Sequence, residues 1–407
     1  VMAKELREMN TLVVGISIKN YIPYLRAAHG RCTFPAADLE QLSKYVQKTL
    51  DYPEYIPPIL IGYSSGATLV YAALSEAPPN TFAGAISLGF CPDIQIRKPF
   101  CRGESLQYIL KPGTKGMYFL PDSTLESPWI ALQGTVDQVC DPNSTEDYAK
   151  QIPKAKVILL PKVGHGFALE KNYLPQFKEA YLELANVKTA AVGSATAPKT
   201  GSANVNGLPI VQIPSAKPSS GDLFAVILSG DGGWASLDRQ IGNELVKSGV
   251  PVVGFNTLQY FWKKRTPEES SQDLQRLLVH FLQDWKKQKV LIIGYSLGAD
   301  VLPFMINRLP EDLQSKIQLL ALLGPAKKAE FEFHLTDWVG SFGSDGEPTV
   351  PEIKKLKQKS ICIYGDNEKD SACPDVQTKL TKVIPWRGGH HFNGDYQTLT
   401  KSILQEL

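Results

Sequence analysis

The chain contains a serine whose neighbours are typical of a catalytic nucleophile. Ser296 stands in GYSLG, residues 294–298, between the apolar run VLII and a helical pattern. In a G-x-S-x-G turn the glycines let a strand and a helix approach closely, and the turn lifts the serine hydroxyl above the sheet edge. The N–H of Leu297, at the start of the helix, would be one donor of an oxyanion hole. We therefore predict that Ser296 attacks a carbonyl carbon.

A glycine-rich loop is expected to supply the second oxyanion donor. The sequence SGDGGW, residues 229–234, follows an early apolar run, and Asp231 and Gly232 stand at its centre. Backbone N–H groups of such a loop can face the reacting carbonyl oxygen. One donor of this kind is typically worth ~3 kcal/mol of transition-state stabilisation.

A serine nucleophile needs a base, and the base needs a carboxylate that orients it. After a G-x-S-x-G serine the expected chain order is serine, acid, histidine. The sequence GGHHF offers His390 and His391 as the base, and GDNEKD offers Asp366 and Asp370 as the acid. We choose His390 because GHHF aligns with an earlier GHGF, and Asp370 because DSAC aligns with an earlier DQVC. Asp366 remains an alternative acid.

The first half of the chain carries a corresponding set of residues. Ser64 stands in GYSSG, Asp137 in DQVC and His165 in GHGF. The serine-to-acid separations are 137 − 64 = 73 and 370 − 296 = 74, and the acid-to-histidine separations are 165 − 137 = 28 and 390 − 370 = 20. The agreement of motif, order and spacing favours two copies of one catalytic arrangement, with Ser64, Asp137 and His165 as a second site.

The elements around both sets repeat one alternation of strands and helices. The apolar runs NTLVVGIS, PPILIGY and WIALQG of the first half correspond to VPVVGFN, KVLIIGY and ICIYG of the second. Such runs, separated by helical periods, predict a mostly parallel sheet flanked by helices. Together with the nucleophile motifs, the repeat predicts two tandem α/β-hydrolase-like domains.

The repeat also predicts where the domains lie. The second half opens with LFAVILSGDGGW before its first helix, whereas the first half begins at the equivalent of that helix, MAKELREMN, so we expect the first domain to be truncated at its N-terminus. The stretch VKTAAVGSATAPKTGSAN has too few large apolar residues to order itself. We therefore expect an N-terminal domain over residues 1–187, a flexible linker over 188–204 and a catalytic domain over 205–407.

The activity of the first domain stays open at this stage. Its residues alone could form an active site. Because the loop that would supply its second oxyanion donor is missing from the sequence, we favour an inactive or accessory duplicate that serves as a scaffold or docking surface.

Composition and charge exclude several classes of function. The 43 basic and 41 acidic side chains give a formal charge of +2, which provides no electrostatic case for a nucleic-acid partner. No apolar run has the length of a transmembrane helix. The sequence shows neither a nucleotide-binding glycine motif nor a cluster of metal ligands, so we expect no cofactor and no metal.

The cysteines indicate an oxidising compartment. Four of the six precede the linker and two follow it. An even number in each half favours disulfides within each domain over free thiols. The pairs Cys91/Cys101 and Cys362/Cys373 are close enough in sequence to close small loops.

The motifs SGDGGW, GYSLGADVLP, GDNEKDSAC and GGHHF together resemble the bacterial virulence protein family VirJ, and the related domain upstream resembles its longer two-domain form, AcvB. The resemblance implies Ser296 as nucleophile and His390 as base, and leaves the acid among Asp366 and Asp370. It also implies a periplasmic protein that hydrolyses aminoacylated phosphatidylglycerol, chiefly the lysyl form, at the membrane surface. Some relatives are linked to type IV secretion, which suggests a secretion-system partner.

Three questions stay open. Asp300 and Asp231 are candidates for recognising a substrate amine, although Asp300 could equally belong to a packing network. The stretch SFGSDGEPTVPEIKK is either a cap loop over the pocket or a surface excursion. Two other functions compete with the lipid esterase: a carboxylesterase or dienelactone-hydrolase-like enzyme acting on small soluble esters, and a non-catalytic interaction protein of a secretion apparatus.

Overall fold

A computed structural model describes residues 1–27, 31–111, 113, 116–191, 204–215, 221–334 and 346–407, with the backbone alone for 187–191. The chain divides into two compact units, Val1–Gln47 with Ile56–Ser194, and Lys48–Tyr55 with Ala195–Leu407. Helix α6 (Leu174–Ala191) runs four residues into the stretch predicted as a linker. The rest of that stretch up to residue 203 lies outside the described residues, as do residues 341–345 of the stretch expected to be either a cap loop or a surface excursion.

The first unit is built on a four-stranded parallel sheet in the order β1-β2-β6-β7. The apolar runs PPILIGY and WIALQG supply strands β1 and β6, and the central strands β2 and β6 are buried along their whole length. Continuous burial is what a strand covered on both faces requires. The strands of this sheet are β1 (Ile59–Tyr63), β2 (Gly84–Leu88), β6 (Trp129–Gly134) and β7 (Ala155–Leu160).

Helices cover both faces of this sheet. One face packs against helix α4 through Leu69, Tyr71 and Trp129, and the other against α6 through Phe177 and Leu132. A small antiparallel sheet, β3-β5-β4, joins the α4 side. Its strands are β3 (Asp93–Ile94), β4 (Tyr108–Leu110) and β5 (Met117–Phe119); the remaining helices of the unit are α1 (Met2–Glu8), α2 (Ile18–Ala27), α3 (Pro35–Thr49), α4 (Ser65–Glu76) and α5 (Pro142–Ala149).

The run NTLVVGIS does not form the strand that the sequence predicted. Residues 11–17 have no regular structure, and Leu12, Val14 and Ile16 are exposed. Its counterpart in the second unit pairs with a strand on each side. The described residues of the first unit contain no equivalent of those two neighbours. A run without neighbours has no ladder for its N–H and C=O groups, so its apolar pattern alone does not make a strand.

The second unit contains a seven-stranded sheet in the order β16-β15-β12-β11-β9-β10-β8. All neighbouring strands are parallel except β8, which pairs antiparallel with β10 at the edge. The prediction of a mostly parallel sheet is therefore confirmed. Its strands are β8 (Ile210–Ile213), β9 (Leu223–Leu228), β10 (Val252–Phe255), β11 (Lys289–Tyr295), β12 (Ile317–Leu323), β15 (Ser360–Gly365) and β16 (Thr381–Trp386).

The core of the second unit lies on both faces of this sheet. Along β11, Val290 and Ile292 face helices α9 and α10, while Leu291 and Ile293 face α7 and α13. A short hairpin of β13 (Lys328–Ala329) and β14 (Glu347–Pro348) lies outside the sheet. The helices are α7 (Ser236–Lys247), α8 (Thr257–Tyr260), α9 (Pro267–Asp284), α10 (Leu297–Asn307), α11 (Glu311–Gln314), α12 (Thr349–Lys354) and α13 (Tyr396–Gln405).

All six cysteines form disulfides, and each bridge stays within one half of the chain, as predicted. The pairs are Cys32–Cys101, Cys91–Cys140 and Cys362–Cys373. The expected Cys91/Cys101 pairing is wrong. The Cys101 N–H donates to the Thr33 carbonyl oxygen, and this contact brings Cys101 beside Cys32 instead. Bridges of this number are typical of proteins in oxidising compartments. Among the described residues, no helix has the length and apolar character needed to cross a membrane.

Candidate active sites

Ser296 occupies a sharp turn between β11 and α10. Its φ of 51° and ψ of −121° lie in a region that non-glycine residues rarely adopt. A Cβ at Gly294 would lie 2.6 Å from the Gly298 carbonyl oxygen, and a Cβ at Gly298 would lie 2.4 Å from the Leu228 carbonyl oxygen. Both flanking positions therefore need glycine, because any side chain would collide with backbone.

The loop SGDGGW lies directly against this serine. A Cβ at Gly230 would be 3.3 Å from Ser296 Cβ. The Gly233 N–H donates to the Gly230 carbonyl oxygen at 3.0 Å, so Asp231 and Gly232 form the centre of a tight turn. Their N–H groups, with that of Leu297 at the start of α10, are the candidates for an oxyanion hole.

Thr257 holds this loop in place and was missed by the sequence analysis. Its buried hydroxyl lies 2.8 Å from the Ser229 carbonyl oxygen and 2.6 Å from that of Gly230. The Thr257 N–H in turn donates to Ser229 Oγ at 3.1 Å. The available signal was its place two residues after β10, at the carboxyl end of a parallel strand, where active-site side chains gather in open α/β sheets.

The carboxylate at His390 belongs to Glu368, not to Asp370. His390 Nδ1 is hydrogen-bonded to Glu368 Oε1. Asp370 is exposed, and Asp366 is exposed with Oδ1 accepting the Gly388 N–H at 2.9 Å. Neither aspartate pairs with the imidazole, so the choice of Asp370, and Asp366 as its alternative, are both corrected.

The alignment failed because it was anchored on the cysteines. The first unit has 140 − 134 = 6 positions from the strand-ending glycine to the cysteine, whereas the second has 373 − 365 = 8. Counted from the glycines, Asp137 and Glu368 both stand three residues on. The serine-to-acid separation then becomes 368 − 296 = 72, against 73 in the first unit. The end of the strand was therefore the better reference point.

The electrostatics keep Glu368 ionised. Burial alone would raise its pKa, but the hydrogen bonds from His390 and the Gly365 N–H, with the charges of His390 and His391, lower the pKa overall. An ionised carboxylate stabilises the His390 tautomer that carries its proton on Nδ1. That tautomer leaves Nε2 free to accept a proton.

His391 belongs to a separate contact. Its Nδ1 lies 3.0 Å from the Tyr295 hydroxyl, which also lies 3.4 Å from the His390 carbonyl oxygen. Burial raises the pKa of Tyr295, so its phenol stays protonated, and burial and the nearby His390 lower the pKa of His391. A protonated phenol and a neutral imidazole together form a stable hydrogen bond. It lies next to the nucleophile elbow, which is the sharp turn between β11 and α10 that carries Ser296.

Ser296 and His390, both described by the structure, are not joined by a hydrogen bond. The elements around them nevertheless converge, because the Tyr295 and His390 rings have centroids 5.2 Å apart and Tyr295 immediately precedes the nucleophile. His390 also lies over Gly324, where a Cβ would come within 2.9 Å of its ring. The imidazole side chain is 39% exposed.

The first unit holds a complete hydrogen-bonded triad. Ser64, with φ 53° and ψ −123°, has the same backbone conformation as Ser296. Ser64 Oγ lies 3.0 Å from His165 Nε2, and His165 Nδ1 lies 2.9 Å from Asp137 Oδ2. Burial raises the pKa of Asp137, but hydrogen bonds from the Cys140 N–H, His165 and the Val139 N–H lower it overall. The structure thus joins the three residues that the sequence assigned to a second site.

Asp137, Cys140 and His165 also have the mutual spacing of metal ligands, with their donor atoms within 4.8 Å of one another. Cys140 forms a disulfide with Cys91, so its sulfur is not a thiolate. The other two side chains already bond to each other. Because a thiolate is the form of cysteine that binds metal, this cluster reads as a triad with an adjacent disulfide.

Acidic side chains lie near Ser296, in the site of the second unit. Asp300 is 9% exposed, and its Oδ1 accepts the Ala326 N–H at 2.6 Å. Burial raises its pKa well above the usual value, and the charges of Asp231 and Glu330 raise it further. Asp300 therefore ties α10 to the loop after β12, which is the packing role considered from the sequence. Asp231 lies in the oxyanion loop itself.

The parallel sheets, the two strained elbows and the chain order serine, acid, histidine define a serine hydrolase of the α/β-hydrolase class. Residues 222–407 match the family model described as bacterial virulence protein (VirJ). Among curated proteins, no sequence gives a significant match.

Solved structures of esterases resemble parts of the chain. Est1E from Butyrivibrio proteoclasticus is 14% identical, with 48% of this chain and 92% of that one covered and a TM-score of 0.35. An esterase from Pyrococcus furiosus is 13% identical, covering 49% and 89%, with a TM-score of 0.37. The esterase domain of a Rhodothermus marinus protein is 12% identical, covering 48% and 88%, with a TM-score of 0.34.

Proposed function

We propose that the second unit is a serine esterase that hydrolyses aminoacylated phosphatidylglycerol, chiefly the lysyl form. Ser296 is the nucleophile, His390 the base and Glu368 the acid that orients the base. The observation that carries the proposal is the Glu368–His390 pair next to a strained serine elbow, within a unit that matches the VirJ family.

The reaction would proceed through an aminoacyl-enzyme. His390 Nε2 takes the proton of Ser296 Oγ as the oxygen attacks the ester carbonyl carbon. The N–H groups of Leu297 and of the Asp231–Gly232 turn stabilise the negative oxygen that forms. The carbon–oxygen bond to the lipid glycerol then breaks, and His390 returns the proton to that oxygen. Water attacks the aminoacyl-enzyme by the same sequence and releases the free amino acid.

The charges near the elbow support a cationic acyl group. Asp231 lies in the loop that touches Ser296. Burial raises the pKa of the Asp300 carboxyl, and the charges of Asp231 and Glu330 are close enough to raise it further. Bringing a positive charge among like charges relieves their repulsion. A lysyl ester carries such a charge next to the bond that breaks. In this proposal Asp231 faces the substrate amine, and Asp300 keeps its packing role between α10 and the loop after β12.

The disulfides support an exported protein, and we propose the periplasm as its compartment and the membrane surface as the place where it meets its lipid. The occurrence of a related unit upstream of the VirJ-family unit supports an AcvB-like two-domain protein. We also propose a secretion-system partner, because the family that the motifs resemble has relatives linked to type IV secretion.

The test is lipid hydrolysis by purified full-length chains. Vesicles containing lysyl-phosphatidylglycerol are incubated with wild type, Ser296→Ala and the matched exposed-site control Ser315→Ala, and free lysine is measured. We expect lysine release by wild type and the control, and loss of at least about 10³-fold in Ser296→Ala. Release that survives in Ser296→Ala would contradict the assignment of the nucleophile.

A second arm separates the competing functions. If the enzyme cleaves short-chain neutral esters but leaves lysyl lipid intact, the function is that of a soluble carboxylesterase. If neither substrate reacts and an active-site serine probe does not label Ser296, the interaction-protein alternative is correct. Asp231→Asn should lower kcat/KM for the lysyl ester more than for a neutral ester, and equal losses would remove the charge argument.

A further inference from the structure

The first unit contains a hydrolase site that the proposed lipid esterase does not use. We propose that Ser64, His165 and Asp137 form a second, independent esterase centre, which accepts neutral esters with apolar acyl groups. This inference does not depend on the substrate of the second unit.

The first site has the hydrogen-bond geometry of a catalytic triad. The hydroxyl and the imidazole are 3.0 Å apart, within the range for direct proton transfer, and the imidazole and the carboxylate are 2.9 Å apart. Both contacts exist without any side-chain rotation. The second unit has only the imidazole–carboxylate contact in place.

The backbone around Ser64 repeats the constraints seen around Ser296. A Cβ at Gly62 would lie 2.0 Å from the Gly66 carbonyl oxygen, so the elbow needs glycine there. Gly89, with φ +62°, lies under the His165 ring, as Gly324, with φ +61°, lies under its counterpart. Strain of this kind persists only where the surrounding structure enforces it, and it clusters at functional sites.

Several hydrogen bonds and a disulfide hold the acid of the first site in place. The Asp137 side chain is fully buried, and its Oδ1 accepts N–H groups from Val139 at 2.8 Å and Cys140 at 2.9 Å. The Gln133 amide donates to Oδ2 at 3.0 Å. The Cys91–Cys140 disulfide fixes the same loop covalently. A buried carboxylate with this many donors is ionised, as a triad acid must be.

Exposed apolar side chains stand on the loops of the first triad. Val136 and Val139 flank the acid and are 56% and 67% exposed, and Leu169, on the histidine loop, is 58% exposed. Tyr63, directly before the nucleophile, is 43% exposed, and its ring lies 5.8 Å from that of His165. Large apolar side chains left in water beside a nucleophile are typical of a surface that binds apolar groups.

The second unit differs at the same positions. Counted from the acid, Val136 corresponds to Asn367 and Val139 corresponds to Asp370. Counted from the histidine, Leu169 corresponds to Gly394, and Tyr295, the counterpart of Tyr63, is 7% exposed. The two centres thus share a triad framework but present different surfaces, one apolar and one polar with acidic neighbours.

The reaction balances without any co-reactant other than water. Ser64 Oγ forms a bond to the acyl carbon while its proton passes to His165 Nε2. The ester carbon–oxygen bond breaks, and the alcohol leaves with that proton. Water then attacks the acyl carbon and gives a proton to His165. The bond between the acyl carbon and Ser64 Oγ breaks, His165 returns the proton to Oγ, and the carboxylic acid leaves.

The test uses the full-length chain and two probes, p-nitrophenyl butyrate and an alkyl fluorophosphonate. The variants are Ser296→Ala, Ser64→Ala, the double variant and the exposed-serine control Ser123→Ala. We expect Ser296→Ala to keep hydrolysing the butyrate and to carry the fluorophosphonate on the peptide that contains Ser64. The double variant should hydrolyse the butyrate at least about 10²-fold more slowly than Ser296→Ala, and Ser123→Ala should match wild type.

Two results would overturn the inference. One is equal butyrate hydrolysis by Ser296→Ala and the double variant together with no label on the Ser64 peptide. The other is label on Ser64 with faster hydrolysis of a lysine p-nitrophenyl ester than of the butyrate in Ser296→Ala, which would contradict the apolar specificity. If Ser64→Ala misfolds, His165→Asn, which leaves the elbow intact, replaces it, with circular dichroism as the check on folding.

Discussion

Replacing Glu368 by glutamine tests the corrected acid assignment. Glu368 uses both oxygens, because Oε1 contacts His390 Nδ1 and Oε2 accepts the Gly365 N–H. Glutamine has a single oxygen. If that oxygen keeps the Gly365 N–H, the amide NH2 group faces Nδ1, which must then lose its proton. The proton moves to Nε2, and the imidazole can no longer accept a proton from Ser296.

Rotating the amide does not rescue the site. With the glutamine oxygen turned to His390, the NH2 group would face the Gly365 N–H, and two donors would meet. Loss of the correct tautomer in a serine triad costs about 10⁴-fold in kcat, or about 5 kcal/mol of transition-state stabilisation. We therefore expect Glu368→Gln to lower kcat by about 10³–10⁴-fold with little change in KM.

The assay measures lysine release from lysyl-phosphatidylglycerol in a Ser64→Ala background, so that only the second unit contributes. Asp370→Asn is the matched control, because Asp370 is exposed and makes no contact with the imidazole. Its kcat should stay within about twofold of the parent, as for most exposed substitutions. A loss in Asp370→Asn equal to that in Glu368→Gln would refute the reasoning, and so would a Glu368→Gln enzyme of normal rate.

Three further predictions concern stability and the elbow. Burial raises the pKa of Asp238 to about 8, so the folded state holds its proton more tightly and stability falls as pH rises from 3.8 towards 8. Asp238→Asn should therefore raise the unfolding free energy in urea titrations at pH 8 by several kcal/mol, with about 6 kcal/mol as the upper limit of this linkage, and by much less at pH 4. Removing the Cys362–Cys373 bridge, which spans 11 positions, should cost about 3 kcal/mol and also lower kcat, since the acid loop lies within it. Gly298→Ala should abolish lysine release while thermal scans show a lower Tm, because its Cβ would meet the Leu228 carbonyl oxygen.

The sheets and the elbows could be predicted because their determinants are local. A buried parallel strand needs a continuous apolar run, and the nucleophile turn needs glycine two residues before and after the serine. Both signals stand in the sequence at Gly294, Ser296 and Gly298 without reference to any distant residue. The histidines followed from their position after the last strand of each unit.

The features that failed depend on distant parts of the chain. Residues 11–17 have the apolar pattern of a strand but lack a neighbour to pair with. Cys101 bonds to Cys32 rather than Cys91 because the backbone contact at Thr33 decides the pairing. Glu368 was overlooked because DSAC was aligned with DQVC, and the loop before the cysteine is two residues longer in the second unit. None of these three features can be predicted from a short stretch of sequence alone.

The two acid loops show how one framework can hold different substrates. Asp137 receives its N–H donors from Val139 and Cys140, which follow it, so the chain beyond the acid is fixed as tightly as the acid itself. Glu368 receives its donor from Gly365, which precedes it, and the residues after it carry no part of that anchor. The residues after Glu368 can therefore differ in number and charge from those after Asp137 while the carboxylate stays at the imidazole. A disulfide holds each loop, but only the loop of the first unit displays valines. The residues after each acid can thus differ between the two units and change the surface that meets the substrate. The carboxylate–imidazole contact, which supports proton transfer, stays the same.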